Sequence, residues 1–237
     1  MKTPMDRLDW DEIATQLAAE GYVVVQGLVG PELAREWARE LDCSRAPTQT
    51  SLGWAAADEG DVRYLDDAEL PAPLGTWRQE LYRGLAPIAN AWNETMGNEY
   101  RFPSEWDAFF ERNRSSGQRR SQSYLYRLRD SAYQPLHQRS EGEHVFPMQL
   151  VALLSEPGKD FTGGELVMTE QRPRMQSRPM VVPLELGDAA LIATARRPVK
   201  GSHGHYSVNT KHAVSRLRRG ARVGLELSFH YAPLEHL

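Results

Sequence analysis

Apolar positions in the first half of the chain recur at steps of three and four, and the period changes to two after residue 123. Asp9 stands where a carboxylate caps a helix, Glu12 is placed to complete a capping box, and Gly21 should end that helix. Residues 22–28 (YVVVQGL) are rich in β-branched side chains and predict a strand. Pro31 opens a second helix running to about Leu41. Residues 51–74 show no steady period and read as loop. Trp77, Leu81, Leu85, Ile88, Trp92 and Met96 form one buried face of a helix over 76–96, with Pro87 inside it and Gly97 as its stop. Trp106, Phe109 and Phe110 indicate a short helix after Ser104, and core packing accounts for this aromatic set. Strands are predicted at 124–129, 148–154, 164–169, 180–184, 189–194 and 224–231, between Gly, Pro and Asp turns. In the last, Leu225, Leu227, Phe229 and Tyr231 share one side, with Glu226, Ser228 and His230 on the other. Helices followed by many short strands predict an α+β fold, a jelly roll buttressed by N-terminal helices.

Length and charge narrow the function classes. The 237 residues fit one domain, with a mainly helical support region at 1–119 and a jelly-roll core at 120–235. With 28 Lys plus Arg against 32 Asp plus Glu the net charge is −4, which argues against a dedicated nucleic-acid binder despite the basic runs 195–200 and 216–222. The single cysteine, Cys43, excludes an intrachain disulfide framework and fits a reducing, cytoplasmic setting. No stretch approaches the roughly 18 consecutive apolar residues of a membrane span. The chain has neither a GxSxG elbow nor a phosphate loop.

Of seven histidines, His137, His144, His203, His205 and His212 lie in the strand-rich part. A lone histidine is more often a surface or hydrogen-bonded residue than a ligand. His137 and His212, 75 residues apart, flank the predicted strands so that two imidazoles and a carboxylate on a barrel rim could form a facial triad.

The runs HQRSEGEHVF (137–146) and LSEPGKDFTGGELVMTEQRPR (154–174), the Gly187–Asp188 pair, and KHAVSR (211–216) followed by Arg222 together carry a family resemblance. The chain resembles the Fe(II)/2-oxoglutarate dioxygenases of the bacterial prolyl-hydroxylase-like branch, strongly over 125–231 and more weakly over 84–97. That resemblance implies a double-stranded β-helix, Fe(II) and 2-oxoglutarate as cofactors, and oxidation, typically hydroxylation, of a small molecule or an amino-acid or peptide side chain. It implies His137 and His212 as metal ligands. Arg222, ten positions after His212, is implied as the grip on the distal carboxylate of 2-oxoglutarate, with Tyr126 and Leu128 as further cosubstrate-binding positions. A guanidinium suits that task because it offers a carboxylate two parallel donors.

Two positions depart from the family pattern. Arg139 replaces the aspartate of the HxD pair, and a guanidinium has no lone pair for a metal. Leu128 stands where related enzymes commonly place a tyrosine. Three readings follow. Glu141 or Glu143 bends in as the missing carboxylate, making Arg139 and Glu141 the candidate catalytic pair beside the metal. Alternatively, iron is lost and Arg139 with Arg222 forms an anion-binding cavity for a regulatory or non-oxidative role. In the third, the two histidines hold the metal and an external anion completes the set. Loops at 54–64 and 203–206 are expected to face substrate.

Overall fold

The computed structural model describes residues 4–43, 60–172, 175–202 and 204–234. Its helices are α1 (Trp10–Glu20), α2 (Pro31–Cys43), α3 (Leu74–Thr95) and α4 (Trp106–Ser115). In chain order its strands are β1 (Tyr22–Val25), β2 (Gly60–Tyr64), β3 (Gln118–Arg120), β4 (Tyr124–Leu128), β5 (Gln134–His137), β6 (Met148–Leu153), β7 (Phe161–Gly163) and β8 (Leu166–Gln171). They continue as β9 (Arg178–Val182), β10 (Ala189–Ala193), β11 (Arg196–Gly201), β12 (Gly204–Val214), β13 (Leu217–Gly220), β14 (Arg222–Ser228) and β15 (Ala232–Pro233).

Two antiparallel sheets form the body. The larger runs β1-β10-β6-β14-β4-β2, and the smaller runs β11-β12-β8-β9 with β5 paired to β12. This interleaved strand order is the α+β double-stranded β-helix expected above. Strands β6, β10 and β14 are buried at every residue, because the larger sheet is covered on both faces. Its outer face, through Leu125, Leu150, Leu191, Leu225 and Leu227, packs on Trp77, Leu81 and Leu85 of α3 and on α1 and α2. Its inner face turns Tyr124, Tyr126, Val151, Leu153 and Ile192 towards Leu166, Met168 and Val214 of the smaller sheet. Any charge on that inner face therefore lies inside the barrel.

Local chemistry explains most boundaries. Asp9 accepts from the backbone amides of Asp11 and Glu12, and Gly21 closes α1 at φ 79°. Glu12 departs from the expected capping box and instead accepts from Gln16 one turn on. The loop expected at 51–74 contains β2, an edge strand paired with β4, and residues 51–59 lie outside the described set. Strand β2 escapes the period-two signal because all five of its residues are half-buried. The strand expected at 22–28 stops at Val25.

Candidate active site

The register of the smaller sheet brings the two histidines together. His137 ends β5 directly opposite His212 of β12, and their ring centroids are 4.0 Å apart. His137 Nδ1 lies 3.0 Å from the carbonyl of Pro135. Donation to that carbonyl puts the proton on Nδ1 and leaves the Nε2 lone pair facing inward, as metal ligation requires. Among the described residues that buried Nε2 has no hydrogen-bond partner. His212 is fully buried, and desolvation together with the neighbouring His137 pushes its pKa down to about 4.

The carboxylate beside them comes from a strand rather than from the loop after His137. Glu226, in the middle of β14, places Oε2 3.3 Å from His212 Nε2 and 3.7 Å from His137 Nε2. Ligand atoms of the three residues lie within 4.8 Å of one another, a spacing that two imidazole nitrogens and one carboxylate oxygen around a divalent ion can adopt. Gln134 donates to Glu226 Oε1 at 2.9 Å and Gln149 to Oε2 at 3.2 Å. Burial alone would raise the Glu226 pKa. The adjoining His212 imidazole, through its electrostatic interaction and its hydrogen bond to Oε2, outweighs that effect and holds it well below the usual carboxylate range.

Arg139 is buried in the same wall. Its backbone amide donates to Thr194 Oγ1 and to the Thr194 carbonyl, both at 3.1 Å, which pins the loop after β5 to the end of β10. Arg139 Nη2 donates to the Tyr124 hydroxyl at 3.0 Å and lies 3.8 Å from Glu226 Oε2. The guanidinium stands at the HxD aspartate position as a counter-charge to the strand-borne carboxylate. Glu141 does not join the cluster: it is exposed and paired with Arg120 at 2.7 Å. Glu143 is likewise exposed, 3.9 Å from His144.

Deeper in the barrel, Arg222 shares a strand face with Glu226 four residues on. It is 1% exposed, and its hydrogen-bond partner is the Tyr126 hydroxyl. Gly224 makes room for this contact, since a Cβ there would lie 2.5 Å from the Tyr126 oxygen. Leu128 is the direct cross-strand neighbour of Arg222. A cavity of about 410 Å³ reaches Arg222 from the side of Phe161, Gly163, Gly164, Val182 and Leu184, and neither histidine lines it. Among the described residues Arg222 has no ion pair with a carboxylate, only a longer-range interaction with Glu165, and such a buried guanidinium suits an anionic ligand. The donor set thus fits both a metal ion at His137, His212 and Glu226 and a dicarboxylate reaching Arg222.

Sequence reasoning missed Glu226. Its signal was parity: Glu226 and Arg222 are an even number of positions apart in one strand, so both face the interior. The substrate-facing loop residues expected at 54–59 and at 203 fall outside the described set.

Two interleaved antiparallel sheets with a His-His-carboxylate cluster at one end and a buried arginine within define the fold class of 2-oxoglutarate/Fe(II) oxygenases. Residues 60–232 match the family Oxygenase-NA, described as an oxygenase catalysing oxidative methylation of damaged DNA, and the chain belongs to that family. Rv2227, an uncharacterized protein of Mycobacterium tuberculosis, is 38% identical over 166 residues, covering 68% of this chain and 71% of its own length. Among solved structures, a prolyl hydroxylase from Trichoplax adhaerens in complex with a hypoxia-inducible-factor peptide is 12% identical, with TM-score 0.56 and coverage of 94% and 88%. HygX from Streptomyces hygroscopicus, with nickel and 2-oxoglutarate bound, is 15% identical with TM-score 0.54, covering 94% and 86%. A Pseudomonas putida prolyl-4-hydroxylase is 12% identical with TM-score 0.52, covering 96% and 100%. At these identities the structural likeness concerns the fold. Among the described residues no helix is long and apolar enough to cross a membrane.

Proposed function

We propose that this protein is a 2-oxoglutarate-dependent Fe(II) oxygenase that hydroxylates a small molecule or an amino-acid side chain, with a metal site in which Glu226 takes the place of the loop aspartate. The observation that carries this reading is the approach of Glu226 Oε2 to the two imidazole Nε2 atoms, 3.3 and 3.7 Å. In this reading His137, His212 and Glu226 hold the metal, and Arg222 grips the distal carboxylate of 2-oxoglutarate with Tyr126 steadying the guanidinium. Pro135 fixes the ligating tautomer of His137, and Gln134 and Gln149 orient the carboxylate. Bound Fe(II) and 2-oxoglutarate supply the oxygen activation and the two electrons that protein side chains lack. The apolar inner wall excludes bulk water from the reacting region.

Anaerobic titration with Fe(II) and 2-oxoglutarate, followed by visible absorption, tests the assignment. A metal-to-ligand charge-transfer band is expected in the wild type and in Glu141→Gln, and its loss in Glu226→Gln. A band that survives Glu226→Gln but disappears in Glu141→Gln would return the ligand to the loop.

One observation favours a second reading, a non-oxidative anion-binding protein. Gln149 Nε2 lies 2.9 Å from His212 Nε2 and 3.2 Å from Glu226 Oε2, so the cluster can be held by protein hydrogen bonds alone. Absence of both bound metal and the absorption band under saturating Fe(II) would select it. The family description names damaged DNA. A net charge of −4 and the burial of Arg222 within the basic run 216–222 weigh towards a smaller substrate. Steeply salt-dependent DNA binding would reverse that weighting.

A further inference from the structure

Beside the metal ligands the inner wall carries polar atoms that the chain does not satisfy. Arg139 Nε, the Tyr64 hydroxyl and both ring nitrogens of His230 are buried without a hydrogen-bond partner among the described residues. Native proteins seldom leave such atoms unpaired, and a cluster of them needs a cause. These belong together. Tyr64 faces Tyr124 across the β2–β4 pair, their ring centroids 5.5 Å apart, and the Tyr124 hydroxyl accepts from Arg139. The charge of Arg139 is felt at both Tyr64 and His230. His230 is 1% exposed and lies two residues beyond β14, on the alternation that Glu226 and Ser228 share.

Charge counting points the same way. Arg139, Arg222 and Glu226 leave the interior with one positive charge in excess. The other buried acids among the described residues are committed elsewhere, Glu170 to Arg197 and Arg172, and Asp188 to the amides of Gly27 and Glu185. A divalent ion and the dianion of 2-oxoglutarate cancel, so the same single excess charge remains in the loaded site. Burying it without a partner is unfavourable.

We infer that Arg139, Tyr64 and His230 form a recognition subsite for an oxyanion, a carboxylate or phosphate carried by the substrate, beside the metal ligands. This rests on the oxygenase reading above. Arg139 thereby has a role as a substrate-binding residue. Its guanidinium, 3.8 Å from Glu226 Oε2, would hold the anion next to the reacting centre.

The test loads the protein with Mn(II) and 2-oxoglutarate under argon and titrates separately with ¹³C-acetate and inorganic phosphate, reading affinity by calorimetry and proximity by paramagnetic relaxation of the ¹³C or ³¹P signal. At least one anion is expected to bind with strong relaxation. Arg139→Gln should weaken it tenfold or more, Arg139→Lys should restore much of the loss, and Tyr64→Phe, a minimal change, should weaken it several-fold. The arm with the tighter Arg139-dependent binding identifies the group. Equal affinity in wild type, Arg139→Gln and Tyr64→Phe, or binding without relaxation, would overturn the proposal. Manganese EPR judges the metal reading separately. If no metal binds, the same titration of metal-free protein is followed by the ¹⁵N shifts of the His230 ring: an Arg139-dependent shift supports the subsite and its absence overturns it.

Discussion

A histidine sealed away from water is a source of acid sensitivity, and His230 shows this most simply. Burial, with the nearby Arg139 charge, pushes its pKa down to about 3. The unfolded chain therefore binds a proton on this ring at a higher pH than the folded protein does. Stability from its neutral burial is complete above about pH 6.5 and is lost as pH falls towards 3, at up to ~1.4 kcal/mol per pH unit. Urea unfolding at pH 7.5, 6 and 5 should give a smaller pH dependence in His230→Gln than in the wild type, with the difference concentrated below pH 6.5. At this scale His137, His212 and Arg222 were legible because their types and offsets resemble a known pattern. Glu226 was not, because its carboxylate reaches the histidines from a strand 14 residues beyond His212. A search for the missing ligand close to His137 was bound to settle on Glu141 or Glu143.

Among the elements, tight turns set the relative placement of the strands. Gly187, at φ 86°, precedes β10, and its carbonyl accepts from the amides of Val29 and Gly30 at 3.0 and 3.2 Å. A Cβ at Gly187 would lie 2.6 Å from the Gly30 carbonyl carbon, a contact with backbone that cannot rotate away. Its neighbour Asp188 ties the same corner by accepting from Gly27 N at 2.7 Å and Glu185 N at 3.0 Å. Gly187→Ala is therefore expected to cost more than the ~1 kcal/mol typical of backbone conformation alone, measured as a lowered denaturant midpoint with an unchanged slope. Several elements were legible from sequence to within a few residues, including α1, α2, β6 and β10. Strand β12 was not. Its buried positions include Thr210 and His212 while Asn209 and Lys211 face solvent, so little apolar alternation marks its inward face. A strand whose interior side serves chemistry loses the hydrophobic signature that would reveal it.

At the scale of the whole molecule, one buried ion pair joins the helical layer to the smaller sheet. Arg197 of β11 donates to the carbonyls of Ala18 and Ala19 at 2.6 and 3.3 Å, at the C-terminal end of α1, and also pairs with Glu170 of β8. A cation suits a helix C-terminus, where the last carbonyls lack partners. Replacing it by Arg197→Met would leave Glu170 buried with Arg172 as its remaining partner, at a cost below the roughly 3–5 kcal/mol of a wholly unpaired buried charge. The double variant Glu170→Gln/Arg197→Met should recover part of that loss in the same thermal melt. The jelly-roll core was legible as a succession of short strands, whereas this clamp joins residues nearly 180 positions apart and leaves no local pattern.

Placing the proposed third ligand on β14 also turns that strand into a ruler. Glu226 and Arg222 sit four residues apart on one rigid strand, a span of roughly 13 Å between their backbones at about 3.3 Å per residue. Because neither anchor belongs to a loop, the distance between them has little freedom to adjust. The keto acid that spans from the metal held by Glu226 to Arg222 should then be chosen by carbon count, so oxaloacetate and 2-oxoadipate, one carbon shorter and longer, should each bind at least tenfold more weakly than 2-oxoglutarate in equilibrium titrations of the metal-loaded protein.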